Sequence, residues 1–243
     1  IKECPKDAKV ILLLGQSNAA NEVQTFDYDK TNDLNFYDGK CYLLNNQVLG
    51  ATGKKDNISI AISHYLEKKH KYIFLTHAWS GTSIMHWGSD KSSELTNYSS
   101  KQLDLIEKMD LKLDFLIWIQ GETDAKLYSK LDIGQGPNFF NVHGRDRYYK
   151  EGFRIFIDTL INNNILRKDF KTILTLTSRC NDVKVNKIIN QQQKDLGNDP
   201  NNFILEVTDN LNNKYRYDNC HLNQLGVDIT AKEIAKLINN LLK

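Results

Sequence analysis

The sequence has no long apolar run, no block of like charges and no closely spaced pair of cysteines. No uninterrupted apolar stretch is longer than Val10 to Leu14, which has only the length of a β-strand, whereas a helix that crosses a bilayer needs about 20 apolar residues. The 32 Lys and Arg residues and 30 Asp and Glu residues give a net charge of +2 and are scattered along the chain. Nucleic acids and membrane surfaces select concentrated basic charge. The sequence therefore predicts no nucleic-acid partner and no membrane span.

The four cysteines, at positions 4, 41, 180 and 220, have neither the C-x-x-C spacing nor the nearby histidines of a structural zinc site. We therefore expect no bound metal. The spacing alone does not decide whether the four cysteines form two disulfides or remain free thiols. The chain begins at Ile1 rather than Met, which predicts that a signal peptide, another domain or a cloning leader has been removed.

Short apolar segments alternate with amphipathic segments of helical length along the chain. Such alternation is typical of a parallel sheet with helices on both faces. Five strands are predicted, at Lys9–Leu14, Tyr72–Ala78, Asp114–Gln120, Thr172–Ser178 and Asn202–Val207. Helices are predicted at Ser59–Lys69, around Leu103 to Met109, and at Phe153–Leu160, Val183–Leu196 and Leu225–Leu242. With 243 residues and 40% hydrophobic content, we expect one α/β domain over residues 1–243.

Two segments break the alternation, Asn21–Thr52 and Ala125–Arg147. Each is longer than an ordinary connection between a strand and a helix, and loops of that length tend to be functional. In an open parallel sheet, ligands bind beyond the carboxyl ends of the strands. The predicted strands deliver their most reactive side chains to that edge, so we expect the functional site there.

Ser17 follows the first strand, and Asp218 and His221 lie in a loop after the fifth. A serine hydroxyl becomes a nucleophile when an imidazole removes its proton, and a carboxylate holds that imidazole in the required tautomer. Residues three apart on one turn can place a carboxylate against a ring nitrogen. Each residue also has an ordinary interpretation, Ser17 as a helix N-cap and His221 as a surface residue. Their joint placement at one edge favours a hydrolase.

The ends of the second and third strands add candidate oxyanion donors. Gly81 lets the backbone approach a ligand closely, and its N–H could join that of Ser17 in binding an oxyanion. Gln120 offers a side-chain N–H2 group as a third donor. Glu122 and Asp124 could instead favour a helix N-terminus or form the carboxylate pair of a glycosidase. A glycosidase would leave the serine, the glycine and the histidine unexplained.

Four motifs follow one another along the chain: Gly15-Gln16-Ser17-Asn18, Gly81, Gln120-Gly121-Glu122-Thr123-Asp124 and Asp218-x-x-His221. In that order they resemble the SGNH hydrolase superfamily, and more narrowly its sialate O-acetylesterase and carbohydrate esterase family six branch. The resemblance spans nearly the whole chain. It implies a flavodoxin-like three-layer α/β/α fold around the five-stranded parallel sheet, no cofactor or metal, and removal of acetyl groups from sugar hydroxyls.

Carried over residue by residue, the resemblance gives each reactive group a role. It implies Ser17 as the nucleophile, His221 as the base and then the acid, and Asp218 as the residue that orients the imidazole. The backbone N–H groups of Ser17 and Gly81 would line the oxyanion hole.

The segment after the third strand departs from the wider superfamily. Many SGNH enzymes have Gly-x-Asn-Asp where this chain has Gly121-Glu122-Thr123-Asp124, so the third oxyanion donor is assigned to Gln120. The residues expected to support the site are Gln16, Asn18 and Glu122. Glu122 is expected to brace the turn after the first strand by accepting hydrogen bonds.

An acetylated carbohydrate is the expected partner. Five aromatic residues in or beside the edge loops could stack on sugar faces or pack inside the fold: Trp79, Trp87, Tyr128, Phe139 and Phe140. A lipid or short-chain acyl esterase, an acetyltransferase and a catalytically silent carbohydrate-binding module are alternatives on the same fold. A lipid esterase would need an apolar groove, which the two long segments lack. The intact serine, aspartate and histidine argue against the silent module.

The predicted site also bears on the cysteines. Cys180 follows the fourth strand, and Cys220 lies between the aspartate and the histidine. A disulfide there would hold the loop that contains Asp218 and His221, here termed the base loop, against the sheet. Cys4 with Cys41 would form a second bridge around the first strand. Disulfides persist in oxidising compartments. This hypothesis and the missing initiator methionine predict an exported protein, whether periplasmic, secreted or on the cell surface.

Overall fold

The structure is a computed structural model of the chain, and it describes residues 1–29, 31–88, 94–131, 147–162, 164–181, 183 and 187–243. Within these residues, seven strands form one sheet in the order β3-β2-β4-β1-β5-β6-β7. The strands are β1 Lys9–Gly15, β2 Leu34–Tyr37, β3 Lys40–Leu43, β4 Tyr72–Ala78, β5 Leu113–Ile119, β6 Leu166–Thr175 and β7 Asn202–Leu205. All neighbours are parallel except β2 and β3, which pair antiparallel.

The predicted fold class is confirmed, but the predicted number of strands is wrong. The five predicted strands correspond to β1, β4, β5, β6 and β7. The hairpin of β2 and β3 lies inside the predicted loop Asn21–Thr52, and its turn is made by Asp38 and Gly39, both with positive φ. Each of the two strands has four residues. So short a strand offers too few positions for an alternating pattern to be recognised.

Helices cover both faces of the sheet. They are α1 Ile58–Tyr65, α2 Met85–Gly88, α3 Glu94–Lys108, α4 Glu122–Leu131, α5 Tyr148–Asn162, α6 Lys187–Leu196 and α7 Gln224–Leu241. The predicted helices correspond to α1, α3, α5, α6 and α7, with shifted ends. The predicted loop Ala125–Arg147 is wrong at its start, because residues 125–131 continue α4, and residues 132–146 lie outside the described residues. No helix in the described ranges combines the length and apolarity that a bilayer span requires.

The sheet separates two layers of core. Val10, Leu12 and Leu14 of β1 belong to the layer that α2, α3, α5 and α6 cover, whereas Ile11 and Leu13 belong to the layer under α1 and α7. All five side chains are fully buried. This burial on both faces is what a central parallel strand between two helical layers requires. The predicted three-layer α/β/α arrangement is therefore confirmed.

The strand register brings the carboxyl ends of the three central strands level. Gly15 at the end of β1 pairs with Ala78 of β4 and with Ile119 of β5. The loops that contain Ser17 and Gly81 start at these pairs, beside the Gln-Gly-Glu segment after β5. Three candidate loops therefore leave the sheet at one edge, where ligands of open α/β sheets bind.

Both hypothesised disulfides are formed. Cys4 is bonded to Cys41 of β3, which fastens the N-terminal segment to the edge hairpin. Cys180 is bonded to Cys220, which fastens the loop after β6 to the loop that contains Asp218 and His221. The structure therefore contains two disulfides and no free cysteine.

Candidate active site

Ser17 lies in a turn that directly follows β1. Gln16 N–H donates to Ile119 O over 3.1 Å, and Ala20 N–H closes the turn on Gln16 O at 3.0 Å. Gly15 is required before the turn, because its φ is +148° and a Cβ there would lie 1.9 Å from Ile119 O. Ser17 is 5% exposed. The chain continues from the turn through isolated β-bridges at Asn21 and Val23 rather than into a helix, so the interpretation of Ser17 as a helix N-cap is wrong.

Asp218 and His221 face each other within one loop. His221 Nδ1 lies 2.6 Å from Asp218 Oδ2, so we assign the ring proton to Nδ1, which leaves Nε2 available to accept a proton. Asp218 Oδ1 accepts the backbone N–H groups of Cys220 at 3.1 Å and of His221 at 2.8 Å. Asn219 permits this tight loop with a φ of +62°, which asparagine tolerates better than most residues.

The pKa of Asp218 is held below its ordinary value. Burial by itself raises the pKa, but hydrogen bonds from the His221 ring and from the N–H groups of His221 and Cys220 outweigh it. The carboxyl group therefore stays ionised near neutral pH. An ionised carboxylate at this position can stabilise a positively charged imidazole.

Two hydrogen bonds join the segment from Asn18 to Gln24 to the loop that contains Asp218 and His221. Asn18 Oδ1 accepts the N–H of Leu222, the residue after His221, over 3.0 Å. Gln24 N–H donates to Leu222 O over 3.1 Å. Asn18 is 1% exposed, so its bond is shielded from water. The side chain after the serine therefore fixes the serine turn relative to the histidine.

Arg216 was not predicted from the sequence, yet its side chain supports the base loop from the protein interior. Its buried guanidinium donates to the backbone oxygens of Cys220, Thr208 and Leu211, the last two at 3.3 and 3.2 Å. Burial lowers the pKa of this guanidinium. The three carbonyl contacts offset part of the cost of burying its charge. The signal in the sequence is an arginine two residues before Asp218.

Tyr217 packs against the His221 ring, with the centroids 5.8 Å apart and the planes inclined by 24°. Its hydroxyl donates to Glu22 O over 2.6 Å. Lys55 Nζ lies 3.6 Å from the centroid of the tyrosine ring. The long segment between β1 and α1 thus holds the histidine ring from the side.

Ser17 and His221 open onto one cleft of about 630 Å³, a size within the usual range of small-molecule sites. Its described lining comprises Gln16, Ser17, Ser80, Gly81, Glu122, Thr123, Lys126, Cys180, Asn181, Val183, Cys220 and His221. Val183 is the only aliphatic side chain in this described lining, and the Cys180–Cys220 disulfide adds further apolar surface.

Two backbone N–H groups of the cleft, those of Ser17 and Gly81, make no hydrogen bond to any residue that the structure describes. Gly81 has a φ of +76° and no atom within 4 Å of where a Cβ would lie, so backbone conformation rather than crowding favours glycine. Gln120 is outside the described lining, and its Nε2 donates to Thr82 O at 3.0 Å and to Asp124 at 2.5 Å. The structure brings Ser17 and Gly81 together but does not bring Gln120 to them.

Glu122 does not brace the Ser17 turn as expected. Its Oε1 accepts the N–H and the hydroxyl of Ser178, after β6, at 3.3 and 2.5 Å. The turn is held instead by Gln16, whose Oε1 accepts the N–H of Thr123 over 3.1 Å. Glu122 Oε2 is buried and has no hydrogen-bond partner among the described residues. Because Glu122 lines the cleft, it contributes a carboxylate to the cleft wall.

Asp124 connects the loops after β4 and β5. It is fully buried, and its two oxygens accept the N–H of Ile84 at 3.1 and 3.3 Å. Burial raises the pKa of Asp124 to about 7, although its hydrogen bonds act in the opposite direction. The residue fixes the loop that contains Gly81 relative to the Gln-Gly-Glu turn.

The aromatic residues considered as sugar contacts mainly pack inside the fold. Trp87 is 4% exposed and packs edge-on against a core tryptophan. Trp79 and Tyr128 are partly buried against the same core layer, and none of these three rings lines the cleft. Phe139 and Phe140 lie outside the described residues.

No protein-family model matches the sequence, and no curated protein matches it significantly. Solved structures do match. A protein from Arabidopsis thaliana gives a TM-score of 0.70 at 16% identity, over 96% of this chain and 98% of that one. A carbohydrate acetylesterase from Xanthomonas citri gives 0.58 at 13% identity, over 96% of this chain and 55% of that one. A protein from Parabacteroides merdae described as a GDSL-like lipase gives 0.56 at 13% identity, over 98% of both chains.

At such low identity these likenesses establish the fold alone, and they do so over almost the entire chain. The names of the matched proteins include a lipase and a carbohydrate acetylesterase. The chain therefore shares the fold of these proteins.

Proposed function

We propose that this chain is a serine esterase that removes O-acetyl groups from a carbohydrate through an acyl-serine intermediate. The observation that carries the proposal is the shared cleft, which Ser17 and His221 both line, with His221 paired to Asp218 at 2.6 Å. A serine, an imidazole and a carboxylate in this relation make an activated nucleophile for acyl transfer. The match in fold to a protein named a carbohydrate acetylesterase supports the reaction class.

In the proposed first half-reaction, Ser17 Oγ attacks the carbonyl carbon of the ester while His221 Nε2 accepts the hydroxyl proton. The carbonyl electron pair moves onto oxygen, and the oxyanion accepts hydrogen bonds from the N–H groups of Ser17 and Gly81. Asp218 stabilises the imidazolium. Collapse of the intermediate breaks the bond to the sugar oxygen, which takes the proton from His221. One oxyanion donor typically stabilises the transition state by about 3 kcal/mol.

In the second half-reaction, water replaces the sugar. The water oxygen attacks the acyl carbon while His221 accepts a proton from the water molecule. The N–H groups of Ser17 and Gly81 hold the second oxyanion. Ser17 then leaves with the proton of His221, and acetate is released. An acetyltransferase would use a sugar hydroxyl in place of water, so free acetate distinguishes the two activities.

The cleft lining supports a small acyl group and a polar alcohol. Val183 is the only aliphatic side chain among its described residues, so a long acyl chain would bury little apolar surface there. Asn181 is exposed in the cleft wall and presents an amide, which accepts hydrogen bonds from sugar hydroxyls and donates to their oxygens. This lining favours an acetylated sugar over a lipid.

The disulfides support a location outside the cytosol, which we also propose. The Cys180–Cys220 bridge lies in the cleft wall, and disulfides persist mainly in oxidising compartments. Alkylation of the freshly purified native enzyme should find no reactive thiol. Four alkylated cysteines would contradict both the bridges and the proposed export.

Acetate release from a panel of acetylated glycans tests the proposed function. The wild-type protein should release acetate from at least one of acetylated sialic acid, xylan, peptidoglycan and capsular polysaccharide, and Ser17→Ala should release none. A fluorophosphonate probe should label the wild type but not Ser17→Ala. The probe would label neither protein if the chain were a catalytically silent binding module. A kcat/KM for octanoyl or butyryl esters tenfold above that for acetyl esters, about 1.4 kcal/mol, would favour a lipid esterase instead.

A further inference from the structure

A second cavity, here termed the basal cavity, lies at the opposite end of the sheet from the cleft. It forms where β1, β5 and β6 begin, beside the end of α7, and has a volume of about 540 Å³. β1 has seven residues, so about 20 Å of strand separates the two cavities. Six cationic side chains line the basal cavity: Lys9, Lys112, Arg167, Lys168, Lys171 and Lys243.

A buried carboxylate organises one wall of the basal cavity. Asp114 has a side chain that is 7% exposed, and its Oδ1 accepts a hydrogen bond from Lys9 Nζ at 3.1 Å. The same oxygen forms an ion pair with Arg167 Nε at 3.3 Å. Its Oδ2 accepts the N–H of Val10 at 2.9 Å. One shielded carboxylate therefore fixes cations from two different strands. Because both oxygens are engaged and two cations face the carboxylate, its charge repels an incoming anion little.

The sheet is irregular at the same point. Between β1 and β5 the register shifts at Asp114, which has no partner in β1. The register between β5 and β6 shifts as well, so that residues 167–170 of β6 all lie opposite a single residue of β5, Asp114. Bulges redirect side chains and are frequent beside functional sites. This bulge carries Arg167 and Lys168, which are exposed and line the cavity.

Positive charge is concentrated in the basal cavity. Among the side chains that line it, six are cationic and two are carboxylates, Asp114 and Asp169, whereas the whole chain has a net charge of +2. Lys171 donates to the neutral amide of Asn201. Neither Lys112 nor Lys168 pairs with a carboxylate in the part of the chain that the structure describes. A concave surface lined by one sign of charge attracts ions of the other sign.

We infer that the basal cavity binds an anionic sugar, one that carries carboxylate or phosphate groups. The lysines and Arg167 hold the anionic groups, while Leu241 and Leu242, which are partly exposed in the lining, pack against the C–H face of a sugar ring. The preference for an anion rests on the cavity alone, and the choice of a sugar rests on the proposed function. Such a site would hold one part of an acidic polysaccharide while the cleft acts on another.

Isothermal titration calorimetry on the full chain at low salt tests this inference, with digalacturonate as the carboxylate probe and glucose 6-phosphate as the phosphate probe. At least one should bind, and methyl-esterified digalacturonate, which is neutral, should not. The double variant Lys112→Gln/Lys168→Gln should weaken binding at least tenfold. The control Lys40→Gln/Lys101→Gln, at exposed positions outside the cavity, should bind within twofold of wild type.

Equal affinity of the wild type and the Lys112→Gln/Lys168→Gln variant would overturn the inference. Equal affinity for tetraglutamate would also overturn it, because that peptide carries the charge without the sugar. Both double variants should hydrolyse a small acetyl ester at the wild-type rate. If the wild type binds neither sugar but hydrolyses the ester, that result counts against the basal cavity only. If the wild type binds sugar but does not hydrolyse the ester, that result counts against the proposed function only.

Discussion

The cleft and the basal cavity lie at opposite ends of the same strands and are built in different ways. Around the cleft, buried polar side chains are bonded to the backbone, as Asn18 is to Leu222 N–H and Gln16 to Thr123 N–H. In the basal cavity only Asp114 is buried in this manner. The cations around it are partly or fully exposed.

The difference agrees with the function proposed for each site. A nucleophile, a base and oxyanion donors must keep their positions to within a fraction of an ångström, because misplacement costs rate steeply. A charge attracts an anion over several ångströms and in many orientations. We therefore expect single substitutions to cause large losses in the cleft and graded ones in the basal cavity.

Removal of the reacting groups should give the largest effect. Ser17→Ala and His221→Ala should each lower kcat for a nitrophenyl acetate by roughly 10³- to 10⁶-fold, and the double variant should be no slower, because the two residues act as one unit. Circular dichroism should show an intact fold. Ser80→Ala, in the same cleft and with its hydroxyl 3.3 Å from that of Thr52, is the matched control and should stay active. Turnover at the wild-type rate by Ser17→Ala would refute the nucleophile.

Asp218→Asn should lower kcat by roughly 10²- to 10⁴-fold, since an amide cannot stabilise the imidazolium and can reverse the tautomer. The lowered pKa of Asp218 means that its stabilising contribution is present above its ordinary value of 3.8 and is lost as the pH falls through the lowered value. Protonation of Asp218 should therefore not account for a loss of wild-type activity between pH 7 and pH 5. Asp27→Asn, at an exposed carboxylate, should leave the pH–rate profile unchanged.

The two disulfides offer a matched pair of deletions. They separate their cysteines by 37 and 40 residues, so the chain-entropy model gives each about 4 kcal/mol of stability. Cys180→Ser/Cys220→Ser should lower both stability and activity, because it frees the base loop. Cys4→Ser/Cys41→Ser should lower stability to a similar extent and leave kcat unchanged. Denaturant unfolding and ester hydrolysis measure the two effects, and equal activity in both double variants would show that the bridge does not position the base.

Local relations in the cleft could be predicted from the sequence, and long-range ones could not. Asp218 and His221 meet because they lie three residues apart on one turn, and Ser17 lies at the sheet edge because a strand ends before it. Gln120 also ends a strand, but the direction of its side chain is decided by Asp124 and by Thr82 O, which take up its N–H groups. Neither contact leaves a pattern in the sequence.

The same reason explains what the sequence did not reveal elsewhere. Arg216 bonds to carbonyl oxygens of Thr208 and Leu211, and a carbonyl is present at every position of a chain. The cations of the basal cavity come from positions between 9 and 243, so along the chain they have the scatter of ordinary solvated charge. Their concentration exists only after β1, β5, β6 and α7 have come together.

The smallest expected effect compares a buried carboxylate beside the cleft with an exposed one. Asp124 has a pKa of about 7 in the folded protein against 3.8 as its ordinary value, so the folded state binds this proton more tightly and its stability falls as the pH rises between those values. Asp124→Asn removes that dependence. The free energy of unfolding of Asp124→Asn relative to wild type should therefore rise by roughly 2–3 kcal/mol from pH 5 to pH 8, as measured by urea unfolding. Asp104→Asn on α3, where the carboxylate is exposed, should give the same difference at both pH values. A constant difference for Asp124→Asn as well would mean that Asp124 is ionised across this range and that its charge is compensated within the fold.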